Sequence, residues 1–137
     1  MTQRELKYGF QRRLTGVTFE QALEKTTAAL KTEGFGVLNT IDVKDTLKKK
    51  LEVDFRRYVI WGACNPQLAH KALTVEPHIG LLLPCNVVVQ EEPDKGVVVS
   101  IADPKAMFTV ADNPLLQPLM EEAEARLRKV IQVLSGE

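Results

Sequence analysis

The stretch PCNVVVQEEPDKGVVVSI, residues 84–101, decides the fold class of this chain. Residues 93–96 at its centre have turn chemistry, because proline presets one backbone dihedral and glycine can take a positive φ. The apolar runs on either side predict two strands joined as a β-hairpin. In the second run, Val97, Val99 and Ile101 share one face, which is typical of an antiparallel sheet whose other face meets water.

The remaining sequence adds strands and helices around this hairpin. The alternation of Leu6, Tyr8 and Phe10 predicts a first strand, and Asn65-Pro66 is an N-cap followed by proline at the first helical position. Strands are predicted at about 6–10, 35–41, 58–64, 84–91 and 97–101, and helices at about 18–34, 43–51, 66–75 and 114–134, with Asp103-Pro104 as a further helix start.

The order of these elements fits either a parallel βαβ sheet or an antiparallel α+β sheet. A parallel sheet that is covered on both faces would have strands that are apolar throughout. The first and last strands alternate instead, so we predict the α+β class, with an antiparallel sheet packed by helices and a long C-terminal helix. Because residues 1–137 contain no linker or repeat pattern, we predict one domain.

Composition and charge exclude several kinds of protein. The chain has 137 residues, of which 18 are basic and 18 acidic, so its formal net charge is zero. Without a surplus of positive charge we expect no general binding of nucleic acid. The sequence has no signal peptide, apolar span or lipidation motif. We therefore predict a cytoplasmic protein that does not bind membranes and keeps its two cysteines reduced.

Both cysteines and both histidines of the chain fall between Gly62 and Asn86. Cys64 closes one predicted strand, Cys85 opens the next, and His70 lies on the helix between them. If the two strands are antiparallel neighbours, the end of the first lies beside the start of the second, and the cysteines meet at one edge of the sheet. In a parallel sheet they would lie at opposite ends.

The favoured hypothesis is that the Cys64–Asn86 region binds a small ligand or a protein partner. A small-molecule pocket would bring a few polar groups together within an apolar surround. The candidate ligand-binding residues are Cys64, Asn65, His70, Cys85 and Asn86. Asn86 stands out because asparagine is disfavoured in strands, and a buried amide needs hydrogen-bond partners. No cofactor and no resident metal are predicted.

Alternative hypotheses use the same residues. Cys64, His70, His78 and Cys85 are ligand types that suit zinc, although their spacing matches no common zinc motif. Either cysteine could instead be a nucleophile activated by His70, since the helix N-terminus after Cys64 lowers the pKa of a thiol. A third alternative assigns the whole region to core packing in a structural homodimer.

Several blocks of the sequence resemble one protein family. They are Gly34–Leu38 with Ile41–Lys44, and Gly62–Pro66 with Ala69-His70, Glu76-Pro77 and Ile79–Val87. These blocks are similar to the domain of unknown function family 302 (DUF 302). The resemblance implies a TATA-binding-protein-like α+β fold of order β-α-β(4)-α, with a curved antiparallel sheet and extra helices between strands two and three and between three and four. It also implies a homodimer, but no assigned activity and no DNA binding, because fold does not determine function.

Overall fold

The structure is a computed structural model that describes residues 3–94 and 96–134. The strands within these residues are β1 Gln3–Leu6, β2 Gly9–Leu14, β3 Gly36–Asp42, β4 Tyr58–Cys64, β5 Cys85–Glu91 and β6 Val97–Ala102. The α-helices are α1 Phe19–Thr32, α2 Val43–Leu51, α3 Pro66–Val75, α4 Pro104–Phe108 and α5 Gln117–Leu134. Short 3₁₀ turns lie at Pro77–Leu82, Thr109–Ala111 and Pro114–Leu116. None of the helices in this part of the chain has the length and apolar character that a bilayer span requires.

Each strand pair in the sheet is antiparallel, and the strand order is β1-β2-β6-β5-β4-β3. This confirms the predicted α+β class and the β5–β6 hairpin. In the hairpin turn, the Asp94 carboxylate accepts a hydrogen bond of 3.0 Å from the Gly96 N–H. Arg13 of β2 pairs with both Glu92 and Asp94 and so ties β2 to this turn. Lys95, which also belongs to the predicted turn, lies outside the described residues.

One face of the sheet carries the main hydrophobic core. The strand register places Phe10, Trp61, Val87 and Ile101 in one row across β2, β4, β5 and β6, and all of them are buried. Helices α1 and α5 pack over this face and contact each other. Burial of each large apolar side chain of this row contributes about 1.5–3 kcal/mol to folding.

A second, smaller hydrophobic cluster lies where β4 ends and β5 begins. Its buried members are Ala72, Ile79, Phe108, Leu116 and Met120. They come from α3, the 77–82 turn, α4, the 114–116 turn and α5, and these segments pack together. This helical layer covers the end of the sheet to which the sequence assigns the candidate site.

The N-terminal region differs from the prediction of one strand at 6–10. Strands β1 and β2 form a hairpin whose turn includes Tyr8, which is exposed, whereas Phe10 is fully buried. The inward positions of β2 are Phe10 and Leu14, so the alternation continues beyond the predicted strand. The prediction missed the turn because Tyr8 fits the alternating pattern as well as a buried residue does.

The C-terminal helix begins later than predicted. Asn113 caps the 3₁₀ turn Pro114–Leu116, and α5 follows from Gln117 to Leu134. The Asn113 Oδ1 accepts from the Leu115 N–H at 3.0 Å, and its Nδ2 donates to the Glu76 carboxylate at 2.9 Å. The cap-proline pair therefore starts a tight turn that joins α5 to the end of α3.

Candidate ligand-binding site

The end of β4 lies beside the start of β5, as the sequence predicts for antiparallel neighbours. Ala63 is opposite Cys85, and Gly62 is opposite Asn86. Cys64 is the next residue after the Ala63–Cys85 pair, so the two cysteines are near neighbours across the strands. Neither forms a disulfide.

Gly62 allows the neighbouring segments to approach the backbone of β4. Its N–H donates a hydrogen bond of 3.1 Å to the Asn39 Oδ1 on β3. A Cβ at position 62 would overlap that oxygen and would lie 2.5 Å from the Cγ of Pro84. The glycine therefore leaves room for Asn39 on one side and for Pro84, which leads into β5, on the other.

Asn65 joins the end of β4 to the start of α3. Its Oδ1 accepts a hydrogen bond of 3.1 Å from the Leu68 N–H, which is the predicted N-cap interaction. Pro66 follows at the first helical position, where its missing N–H costs nothing. The Asn65 side chain is buried. Helix α3 is thereby fixed so that its apolar stripe, which consists of Leu68, Ala69, Ala72 and Leu73, faces the cavity.

A cavity of about 270 Å³ lies between the β4–β5 edge and the helices that cover it. Apart from two thiols and one amide, its wall consists of apolar side chains and a glycine. The lining residues are Phe35, Leu38, Ala63, Cys64, Asn65, Leu68, Ala69, Ala72, Leu73, Gly80, Leu83, Pro84, Cys85, Phe108, Leu119 and Ala123. A concave apolar wall with a few polar groups is typical of small-molecule sites.

The structure brings three of the five candidate residues together. Cys64, Asn65 and Cys85 line the cavity, whereas His70 and Asn86 do not. His70 is exposed, because the apolar stripe of α3 occupies the face that points inward. The sequence places His70 beside that stripe, but a step of one residue along a helix turns the side chain by about 100°.

Asn86 is exposed, so its amide needs no buried partner. Successive side chains of a strand point to opposite faces, and Asn86 therefore points away from Cys85. It lines a neighbouring cavity of about 190 Å³ together with Ala102 and Met107. The two Cys-Asn dipeptides of the sequence thus contribute differently, since Asn65 lies in the main cavity and Asn86 does not.

Burial changes the acidity of both thiols. Loss of water raises the pKa of Cys64 above its ordinary value. The same effect raises the pKa of Cys85 to about 11, and the neighbouring Cys64 adds to it. The predicted lowering at Cys64 is therefore wrong, because desolvation outweighs the field of the α3 N-terminus. Thiolate is scarce near neutral pH, and His70 is not placed to generate it.

The zinc hypothesis is not supported by the geometry. Within residues 3–94 and 96–134, no three His, Cys, Asp or Glu side chains are grouped closely enough to hold a metal ion. His70 and His78 are both exposed and neither lines the cavity with the cysteines. The proposed set of Cys64, His70, His78 and Cys85 does not converge.

The sequence does not reveal the far wall of the cavity. Phe108 of α4 and Leu119 and Ala123 of α5 complete that wall. The α5 residues belong to a run of apolar residues at helical spacing, a pattern that by itself indicates core packing. The sequence feature that could have indicated this wall is the small size of Ala123 on α5 and of Ala69 and Ala72 on α3. Alanines that face each other leave space between two helices that contact each other.

Comparison with known proteins agrees with this architecture. A search of curated proteins finds no match. The chain is similar to the crystal structure of an uncharacterized conserved DUF302 protein from Bacillus stearothermophilus. The two share 28% sequence identity with a TM-score of 0.79, and the alignment covers 89% of this chain and 95% of the other. The family model described as "Domain of unknown function DUF302" matches residues 10–134. This match spans most of the chain and confirms the resemblance of the sequence blocks, so the chain belongs to the DUF302 family.

Proposed function

We propose that this protein binds a small, mostly apolar molecule in the cavity beside Cys64, Asn65 and Cys85. The observation that carries the proposal is the cavity of about 270 Å³, which is lined by apolar side chains from the sheet and from three helices. The side chains of this wall lack packing contacts on the side that faces the cavity. A ligand that fills the space regains those contacts and removes its own apolar surface from water.

The chemistry of the wall favours binding over catalysis. Burial keeps both thiols protonated near neutral pH, because it raises their pKa values. None of the lining residues carries a formal charge. Such a wall supplies shape and dispersion contacts but no acid-base pair. We therefore expect the ligand to be released without chemical change.

The test is saturable binding of the fluorescent apolar probe N-phenyl-1-naphthylamine to the full chain. We expect its fluorescence to rise on binding, because apolar side chains then replace water around the probe. In an Ala123→Leu variant the larger side chain occupies the cavity, and we expect probe binding to be lost. Ala125→Leu, an exposed position on the same helix, is the matched control and should bind the probe like the wild type.

Urea unfolding of both variants separates loss of the cavity from loss of the fold. Ala123→Leu should unfold at the same urea concentration as the wild type or a higher one, since filling a cavity adds contacts. The proposal is overturned if the wild type shows no saturable binding, or if Ala123→Leu binds the probe as the wild type does.

Three further predictions about the chain are separate from this function. They are a cytoplasmic location, a single domain over residues 1–137 and the likeness to the TATA-binding-protein fold. A homodimer is also a proposal. It is supported by exposed apolar side chains on β3 and in and after α2, namely Leu38, Ile41, Leu51, Val53 and Phe55.

A further inference from the structure

The exposure of the lining residues shows which side of the cavity is open. Leu38 and Leu73 line the cavity although 67% and 41% of their surface is exposed, and Gly80 is exposed as well. A Cβ on Gly80 would lie 3.9 Å from the Cδ2 of Leu73, so these two residues adjoin. We call Leu38, Leu73 and Gly80 the mouth of the cavity. The floor consists of the buried apolar lining residues Phe35, Ala63, Leu68, Ala72, Phe108 and Ala123.

The lining residues offer little to a polar group that lies deep in the cavity. None of the residues that line it carries a charge. The Asn65 Oδ1 already accepts from the Leu68 N–H at 3.1 Å. Its Nδ2 lies 2.9 Å from the place that a Cβ on Gly34 would take, and Gly34 does not line the cavity. Thiols are weak donors and weak acceptors, so a hydroxyl or carboxylate at the floor would lose strong hydrogen bonds to water and gain weak ones.

The mouth gives a polar group different surroundings. Because Leu38, Leu73 and Gly80 are exposed, a group held between them keeps its contact with water. The position of the polar group along a ligand therefore decides whether the ligand fits this cavity.

The volume of the cavity limits the apolar part of the ligand. A cavity of about 150 Å³ in another protein holds one benzene molecule. By the same proportion, a cavity of about 270 Å³ has room for roughly ten carbon atoms.

We propose that the ligand is a single-chain amphiphile, with a hydrocarbon tail of roughly ten carbons in the cavity and a polar head at the mouth. The inference rests on the proposed function, because it names the class and the orientation of the ligand in the same cavity. The tail contacts the apolar floor, and the head remains in water beside Leu73 and Gly80.

The first test compares 1-nonanol with 5-nonanol as competitors of N-phenyl-1-naphthylamine for the wild type. The two alcohols have the same composition and nearly the same apolar surface. We expect 1-nonanol to bind about tenfold tighter or more, because 5-nonanol must bury its hydroxyl without a strong partner or leave half of its chain outside. Ala123→Leu, which fills the floor, should lose 1-nonanol binding, whereas the exposed control Ala125→Leu should keep it.

The second test locates the head by placing a charge at the mouth. In Leu73→Lys, the affinity for nonanoate relative to 1-nonanol should rise about three- to fivefold near pH 8 at low salt. About 1 M NaCl should abolish the gain. Leu73→Gln removes the same leucine without adding a charge. Val133→Lys adds the charge at an exposed position of α5 that lies ten residues, or about 15 Å, along the helix from Ala123. Both controls should keep the wild-type ratio.

The outcomes separate this inference from the proposed function. Equal binding of the two nonanols, or an unchanged ratio in Leu73→Lys, overturns the amphiphile with its head at the mouth while binding in the cavity stands. If the probe does not bind the wild type, the proposed function itself fails. Urea unfolding checks that the variants keep the fold. The comparison of the two alcohols needs no substitution, so it decides the inference even if a Leu73 variant does not fold.

Discussion

The two cysteines take their chemistry from the wall around them. Cys64 precedes a helix and Cys85 opens a strand at the same edge of the sheet. Apolar side chains from distant parts of the chain shield both thiols partly from water, and the pKa of Cys85 rises to about 11. A pair of thiols that would be reactive in water is therefore part of an inert lining.

Cys85 should react slowly with iodoacetamide. With a pKa of about 11, roughly 0.1% of this thiol is thiolate near pH 8, against roughly 10% at the ordinary value of 9.0. The rate should therefore be about 100-fold lower than for an unburied thiol, and it should rise about tenfold for each pH unit up to about pH 10. Mass spectrometry of labelled Cys64→Ser gives the Cys85 rate directly. A rate close to that of free cysteine near pH 8 would contradict the raised pKa.

Gly62 should not tolerate a side chain. Its Cβ would overlap the Asn39 Oδ1 and crowd Pro84, and both neighbours are held by adjoining strands. We expect Gly62→Ala to lower the free energy of unfolding by about 2 kcal/mol or more, measured by urea titration. Gly36→Ala is the control, because a Cβ there meets nothing within 4 Å. Equal effects at the two positions would show that the close approach is not what requires glycine at 62.

Among the elements, the N-cap of α3 determines the position of the cavity wall that this helix forms. Asn65 follows directly on β4, so the hydrogen bond that its Oδ1 accepts from the Leu68 N–H sets where the helix leaves the sheet. The inward stripe of α3 then packs toward α5 and the 77–82 turn. A short hydrogen-bonded junction thus positions a whole side of the site.

Removal of this cap should destabilise the protein measurably. We expect Asn65→Ala to lower the free energy of unfolding by about 1 kcal/mol, because one N–H of the first helical turn loses its acceptor. Asn65→Asp should remain within about 0.5 kcal/mol of the wild type, since aspartate caps helices as well as asparagine does. Urea titrations of the three proteins provide the comparison. A loss in Asn65→Asp as large as in Asn65→Ala would show that the cap is not the stabilising contact.

Local patterns predicted most of the elements and the pairing that forms the site. The cap at Asn65, the turn at 93–96 and the neighbouring cysteines depend on residues close in sequence or on a single strand pairing. The β1–β2 turn was missed, because Tyr8 keeps the alternation while it lies outside a strand. His70 was misplaced for a related reason, since the edge of an apolar helical stripe is not sharply defined by sequence.

For the molecule as a whole, the sheet has an open edge at β3. The register pairs this strand with β4 on one side, and it is the last strand in the sheet order. Most of its residues are exposed, and Ile41 is 49% exposed. Exposed edge strands can pair with a second chain, and the segment has neither lysine nor proline to prevent this. The edge is therefore the surface through which we expect the homodimer to form.

Sedimentation equilibrium should show a dimer of the wild type that weakens when the edge is charged. We expect Ile41→Lys to raise the dissociation constant of the dimer about tenfold or more, because lysine on an edge strand opposes pairing. Val110→Lys is the control, since Val110 is an exposed apolar residue outside the sheet. A wild type that is monomeric at every concentration, or equal weakening by both substitutions, contradicts a dimer through β3.

The cavity itself could not be predicted from the sequence, because it arises from tertiary packing. Its wall includes Phe35, Phe108 and Ala123, which are far apart along the chain. Each is an ordinary apolar residue in its own segment. The raised pKa of Cys85 follows from that packing and was hidden for the same reason.

The cavity wall combines residues of both hydrophobic clusters, with Ala63 from the main core and Ala72 from the smaller one. Under the proposed function, a ligand would enter through a brief separation of the small helical layer while the main core stays closed. Local opening costs less free energy than global unfolding. Ligands would therefore be exchanged many times during the lifetime of one folded copy, and the speed of exchange could evolve separately from resistance to heat.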